Sequence, residues 1–158
     1  MNGMMYRLLL CLGTAVLLAA CQQQNWPVYK GYKMKPYTLK GVQYTPMGVQ
    51  QALRYREDGV ASYYEAGGAR GAIGQRLYSS RLYAAHRTLP LPCVVRVTNL
   101  SNGKSCKVAV RDRGPYVDGR LIDVSKKAAD ALGFTRKGLE HVRVEVLSVG
   151  DGPYKRTR

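Results

Sequence analysis

Hydrophobic and polar positions divide the chain into three regimes. Residues 8–20 are small and apolar and follow a single charge, Arg7. Residues 22–58 are polar, rich in Tyr and Lys, and lack helical periodicity. Pro27, Pro36 and Pro46 punctuate them, with Gly31, Gly41 and Gly48, so the stretch reads as an irregular tether. Its Tyr29, Tyr32, Tyr37 and Tyr44 suit a segment that partly lies on a surface. From Gly59 onward a two-residue alternation takes over. Residues 59–64 read as a strand and the Gly-rich stretch 65–76 as loop. Residues 94–100 and 107–111 alternate around Ser101-Asn102-Gly103-Lys104 and form a hairpin. Closing it at Asn102-Gly103 as a two-residue turn sets Cys106 opposite Asn99. Residues 121–124 are a short strand. Ser125 can N-cap a helix running through Leu132, with Gly133 as its stop. In 141–147, Val142, Val144 and Val146 alternate with polar partners, which marks the last strand. Residues 150–158 read as a disordered basic tail. Many short strands with one or two short helices make this a mainly β chain, a small barrel occupying residues 59–149.

The leading apolar run is too short to span a bilayer, which takes about 20 apolar residues, but it fits the apolar part of a secretory signal. It ends Leu18-Ala19-Ala20-Cys21, which resembles the lipobox of bacterial lipoproteins. Small residues let a signal peptidase reach the backbone, and the Cys21 thiol takes a diacylglycerol thioether. Acylation of the freed amine completes the anchor, since one chain alone gives only marginal membrane binding. Residues 1–20 are therefore expected to be a signal peptide and Cys21 a lipidated N-terminus. Gln22 is not the Asp that retains many lipoproteins in the inner membrane, so an outer-membrane anchor facing the periplasm is expected. A free tether over 22–58 would reach roughly 30–35 Å as a flexible chain.

Loss of the signal leaves room for one domain with a modest core. Lys and Arg total 25 against 10 Asp and Glu, a net charge of +15, of which the signal holds one. Such a balance asks for an anionic partner. Export argues against nucleic acid and leaves lipid head groups and the cell-wall polymer. Of the four cysteines, Cys11 leaves with the signal and Cys21 is acylated. Cys93 and Cys106 remain in a compartment that permits a disulfide. The hairpin register separates them, so a disulfide needs a bulge or another register, and the question stays open.

Two polar groups stand out as candidate chemistry. His86 lies in Ala84-Ala85-His86-Arg87, and Asp112 lies between Arg111 and Arg113 at the hairpin's end. Two flanking cations should depress the Asp112 pKa unless burial offsets them. A His and an Asp at a barrel mouth can share acid–base duty, although such a pair is more often structural.

The linked segments Gly59-Val60-Ala61-Ser62-Tyr63-Tyr64, Tyr83-Ala84-Ala85-His86-Arg87-Thr88-Leu89-Pro90-Leu91, Val95-Arg96-Val97-Thr98-Asn99-Leu100, Arg111-Asp112-Arg113-Gly114-Pro115-Tyr116 and Gly119-Arg120-Leu121-Ile122-Asp123-Val124-Ser125 together resemble the RlpA-like lipoproteins. Lys35-Pro36-Tyr37 and Tyr44-Thr45-Pro46 resemble the segment preceding that family's barrel. The resemblance implies a six-stranded double-psi β-barrel acting on peptidoglycan as a lytic transglycosylase, with no metal and no organic cofactor. It implies cleavage of the MurNAc–GlcNAc bond of peptide-poor strands, leaving 1,6-anhydroMurNAc ends. Carried over by motif, Asp112 is the acid/base and His86 the partner that orients or tunes it. Arg113 binds sugar hydroxyls or holds Asp112 charged. Asp123 matches a shared acidic position, or serves the helix entry and loop amides. Tyr63 and Tyr64 stack on a sugar or belong to the core. The implied partners are glycan strands, the membrane through its lipid and, as candidates, cell-division proteins. Two departures are visible. Tyr63-Tyr64-Glu65 stands where relatives have Trp-Tyr-Gly. Gln75 stands where they carry a Glu eleven residues before the His, and an amide cannot exchange protons as a carboxyl does. A non-catalytic wall-binding barrel is therefore the alternative. The peptidoglycan-binding repeat domain that some relatives carry is not expected after the barrel.

Overall fold

A computed structural model describes residues 28–158; the expected signal and Cys21 lie outside them. In chain order the elements are β1 (Tyr37–Leu39), β2 (Val42–Tyr44), α1 (Val49–Leu53), β3 (Arg56–Tyr64), β4 (Gly67–Arg70), β5 (Arg76–Tyr78), β6 (Tyr83–Ala85), β7 (Cys93–Asn99), β8 (Ser105–Asp112), β9 (Arg120–Ser125), α2 (Lys126–Leu132), β10 (Leu139–Val149), a 3-10 turn (Gly152–Tyr154) and β11 (Arg156–Thr157).

Six strands close on themselves in the order β10-β3-β9-β6-β8-β7, with β7 returning to β10. Two pairings, β3–β9 and β6–β8, are parallel, and the rest of the ring is antiparallel. This closure is the double-psi barrel. Alternation fills it: Val95, Val97, Val108, Val110, Val142, Val144 and Val146 all point inward and are fully buried. A small barrel leaves no sheet edge exposed, and Ile122, Val124, Leu132 and Phe134 complete the same core. At Gly59 a Cβ would lie 2.8 Å from that of Leu121, so the parallel approach of β3 to β9 requires glycine there. The helix cap is as expected. The Ser125 hydroxyl accepts from the Ala128 N–H, and Gly133 ends α2 in the left-handed region at φ 77°.

Several expectations are corrected. The Gly-rich 65–76 stretch holds a short hairpin, β4 with β5. The larger hairpin pairs Cys106 with Val97, not Asn99. Asn99 explains the shift: its Oδ1 accepts from Ser101 N–H at 2.8 Å, and Asn102 does the same for Lys104 at 2.9 Å. Two side-chain turns thus replace the two-residue turn. Cys93 pairs with Val110, and both cysteines are free. Four residues separate Cys93 from the partner of Cys106, about 13 Å along a strand, too far for a disulfide.

The tether and the tail are also ordered on the barrel. Lys33 bridges to Leu91, with its N–H on the Leu91 carbonyl at 2.7 Å, and β1 and β2 form a hairpin. α1 buries Ala52 and Leu53, and β3 already begins at Arg56. At the other end β11 pairs with β10. Asp151 accepts from the Tyr29 N–H at 3.1 Å and from the buried Arg111 guanidinium at 2.6 Å. The strap 28–44 and the tail therefore brace each other against β8. Among the described residues no helix is long and apolar enough to cross a membrane.

Candidate functional site

The central strand of the site is β6. Ala85 is in register with Asp112 of β8 on one side and with Asp123 of β9 on the other. The two carboxylate-bearing residues therefore flank one small residue, about 9–10 Å apart at their Cα atoms by strand spacing. Tyr64 on β3 completes the group. Its hydroxyl is buried and has no hydrogen-bond partner. Its pKa is pushed up first by burial and then by the negative fields of Asp112 and Asp123. Strand alternation turns neighbouring Tyr63 the other way, where it packs edge-on to Phe134 at 6.4 Å against the core. Tyr63 is thus a core residue, and only Tyr64 has the site on its side.

Asp112 Oδ1 accepts two main-chain N–H groups, Ala72 at 2.9 Å and Arg113 at 2.8 Å, which leaves Oδ2 out of both bonds. Burial raises its pKa above the ordinary 3.8, and the two backbone bonds and the charges of Arg113 and Lys33 only partly oppose this. Burial thus offsets the flanking cations, the condition under which the expected depression fails. Arg111 faces Asp151 instead, on the far side of β8. Arg113 spends its guanidinium on carbonyls: His86 at 3.2 Å, Leu89 at 2.5 Å and Lys33 at 3.0 Å. It clips the strap to the loop after β6, and its charge still acts on Asp112.

His86 is buried, and its ring does not touch Asp112. Nδ1 accepts the N–H groups of Thr88 (3.2 Å) and Leu89 (3.1 Å), so the proton sits on Nε2, 3.1 Å from the Tyr55 hydroxyl. Tyr55 in turn donates to Glu57 at 2.8 Å. Burial, with Arg87 and Arg113 nearby, pushes the His86 pKa down to about 3. A ring whose Nδ1 receives two donors cannot take a second proton without breaking both bonds. Its link to Asp112 is through main chain, His86 N–H to the Asp112 carbonyl at 3.1 Å. The expected partnership is therefore one of loop positioning, not of proton exchange.

Asp123 accepts from the Ser62 hydroxyl, which also takes a bond from Arg120 at 3.2 Å. Ser125, not Asp123, caps α2. Gln75 lies in the β4–β5 loop whose Ala72 holds Asp112; its carbonyl accepts from Gly71 at 2.9 Å, while its Nε2 is buried without a partner. Sequence reasoning missed Ser62, Ala72, Tyr55 and Lys33. The last two sit in what read as tether, and Lys33 reaches the site through its ammonium on the Ala72 carbonyl at 2.6 Å. Among the described residues, no group of three His, Cys, Asp or Glu is placed to hold a metal.

A closed six-stranded barrel with two parallel strand pairs defines the double-psi barrel class, and this one carries a half-buried carboxyl at Asp112. Residues 56–144 match the model of the lytic transglycolase family, and the chain belongs to that family. It is 44% identical over 127 residues to an endolytic peptidoglycan transglycosylase RlpA of Rickettsia bellii (strain RML369-C), covering 76% of this chain and 55% of that one. It is 38% identical over 153 residues to the protein of that name from Campylobacter jejuni subsp. jejuni, covering 89% and 55%. The chain spans about half the length of these curated relatives. Among solved structures, a Streptomyces papain inhibitor superposes with a TM-score of 0.50 at 25% identity, covering 58% of this chain and 94% of the inhibitor.

Proposed function

We propose that this chain is a peptidoglycan lytic transglycosylase that cleaves the MurNAc–GlcNAc bond of peptide-poor strands and leaves 1,6-anhydroMurNAc ends. The observation that carries the reading is the state of Asp112, a half-buried carboxyl with a raised pKa and one oxygen fixed by two N–H groups. A raised pKa shifts the carboxyl toward the protonated form that an acid needs. Asp112 gives that proton to the glycosidic oxygen as the bond from C1 breaks. The resulting carboxylate then accepts the proton of the MurNAc 6-hydroxyl as O6 closes onto C1. Protons balance across the two steps and no water enters. The Tyr64 hydroxyl is buried beneath this site, out of reach of a sugar oxygen in this conformation. Asp123, held by Ser62, supplies a fixed negative field to the positive charge that develops at C1.

The test incubates the purified chain with sacculi stripped of stem peptides and looks for anhydro-glycans by mass spectrometry. Products from the wild type that vanish in Asp112→Asn support the reading. The alternative is a wall-binding barrel without catalysis, favoured by the amide at Gln75. It predicts sedimentation with sacculi and no anhydro ends, and it then asks whether Gln75→Glu creates them. Anchoring at Cys21 in the outer membrane belongs to the same proposal. Fatty-acid labelling that persists in Cys21→Ser would overturn it. Cell-division proteins remain candidate partners that pull-down from the envelope would identify.

A further inference from the structure

The three-tyrosine cluster on the rim has no part in holding Asp112 or in the proton steps. Tyr37 and Tyr44 are paired across the β1–β2 hairpin and stacked, with centroids 5.2 Å apart and planes 20° apart. Tyr116, from the loop after β8, meets Tyr44 edge-on at 5.5 Å and sets its hydroxyl 3.2 Å from that of Tyr37. Residues two apart on a strand share a face, so Leu39 and Val42, paired to each other, extend the face of Tyr37 and Tyr44 outward. Leu39 is 36% exposed, Val42 52% and Tyr116 41%. The result is an aromatic and aliphatic stripe that runs from the loop after Asp112 to the hairpin tip. Lys35 and Lys40, both exposed, belong to the same segment as the hairpin.

The stripe is continuous with the candidate site. The Arg113 main chain bonds Asp112, while its guanidinium lies 5.5 Å from the Tyr37 ring centroid. A stripe of apolar faces with lysines in the same segment has the chemistry of one ligand class. Pyranose rings present apolar C–H faces that stack on aromatic rings, and the lactyl carboxylates of a peptide-poor wall glycan answer the lysines. Its direction, away from Asp112, suits a linear polymer rather than a single sugar.

We infer that the β1–β2 hairpin and Tyr116 together form a glycan-binding subsite that holds the strand on one side of the bond to be cut. The inference rests on the function proposed above. It adds the segment 37–44, which precedes the barrel, to the substrate-binding surface.

The test uses the purified full chain, kinetics on long peptide-stripped strands, and sedimentation with sacculi. The variants are Tyr116→Ala, Tyr116→Phe, and the double change Leu39→Ser with Val42→Ser at the exposed hairpin end, where folding is not at risk. Loss of one aromatic contact raises KM by about three- to tenfold. The expected result is that rise for Tyr116→Ala and for the double variant with kcat unchanged, while Tyr116→Phe retains the wild-type KM. Wild-type KM and sedimentation in both would overturn the subsite. A fall in kcat with KM unchanged would also overturn it, because the hairpin would then act only by positioning Asp112. The two proposals fail separately. A wild type that sediments but yields no anhydro ends refutes the transglycosylase reading, and sedimentation of the variants still decides the subsite.

Discussion

The Nε2 of His86 lies 3.1 Å from the hydroxyl of Tyr55, and that bond, with two N–H donors on Nδ1, locks the imidazole neutral. Replacement Tyr55→Phe leaves a buried ring N–H without its acceptor, a loss of about 1–3 kcal/mol in stability. Thermal or urea unfolding reads it. The pH dependence follows from the depressed pKa. The folded state refuses a proton that the unfolded chain accepts below its ordinary value of 6.5. The stability contributed is complete above that value and is lost as pH falls from 6.5 toward about 3. Imidazole 15N shifts that stay in the neutral Nε2–H form at pH 5 would confirm it, and a His86 titrating near 6.5 would refute it.

Asp112 behaves in the opposite sense. Its folded pKa is raised, so its ionisation costs more folded than unfolded, and stability declines as pH rises from 3.8 through the folded value. Asp112→Asn keeps an Oδ1 acceptor for Ala72 and Arg113 and carries no charge. It is expected to abolish anhydro products while melting at or above the wild-type temperature at pH 7, and the gap should narrow toward pH 4. For the wild type, turnover falls as pH rises through the Asp112 pKa, because the acid form is the reactive one. A variant that melts below wild type at pH 7 would show that burial of the charge is not the dominant effect.

The Arg111–Asp151 pair spans 2.6 Å with Arg111 1% exposed. Asp151→Ala removes the carboxylate that neutralises this guanidinium and the acceptor for Tyr29. We expect a stability loss of about 3 kcal/mol, accompanied by faster amide exchange at Tyr29 and along β11. Unchanged exchange there would mean that the strap and tail are held by other contacts.

Gly59→Ala places a methyl 2.8 Å from the Leu121 Cβ, beside the irregularity in the β3–β9 pairing. Overpacking of this kind costs about 1–3 kcal/mol, which denaturant unfolding reads directly. Gly48→Ala, where no atom lies within 4 Å of the new Cβ, is the matched control and is expected to leave stability nearly unchanged.

What was legible in the sequence follows the range of the interactions that decide it. Val95 and Val97, Val108 and Val110, and Val142 to Val146 announce their strands because burial on one face forces a two-residue period. Ser125 and Gly133 bound α2 because caps are local chemistry. The tail was not legible, and the strap only as far as its tyrosines, which suited a segment lying on a surface. Tyr29 is held by Asp151 and Lys33 by Leu91, and nothing near Tyr29 or Lys33 in sequence signals such distant partners. Polar, glycine-punctuated stretches look alike whether they float or dock. The site shows the same division. Its motif residues Asp112 and Asp123 flank Ala85, with Tyr64 in the field of both. Tyr63 parts from them because adjacent strand residues face opposite ways. The pKa of Asp112 ran against its neighbours in sequence because burial outweighs them, while Arg111 turns to the other face of β8.

The docked strap also resets the mechanics of attachment. A leash counted from Gln22 to Asp58 let the barrel roam, but Tyr29 and Lys33 are already fastened to it. For a chain held at Cys21, residues 22–27 set the greatest distance from the anchor to the fastened strap, about 20 Å. Such a barrel would ride close against the lipid surface. The glycan within its grasp would then be the layer lying nearest the membrane, selected by stand-off distance before any sugar is recognised.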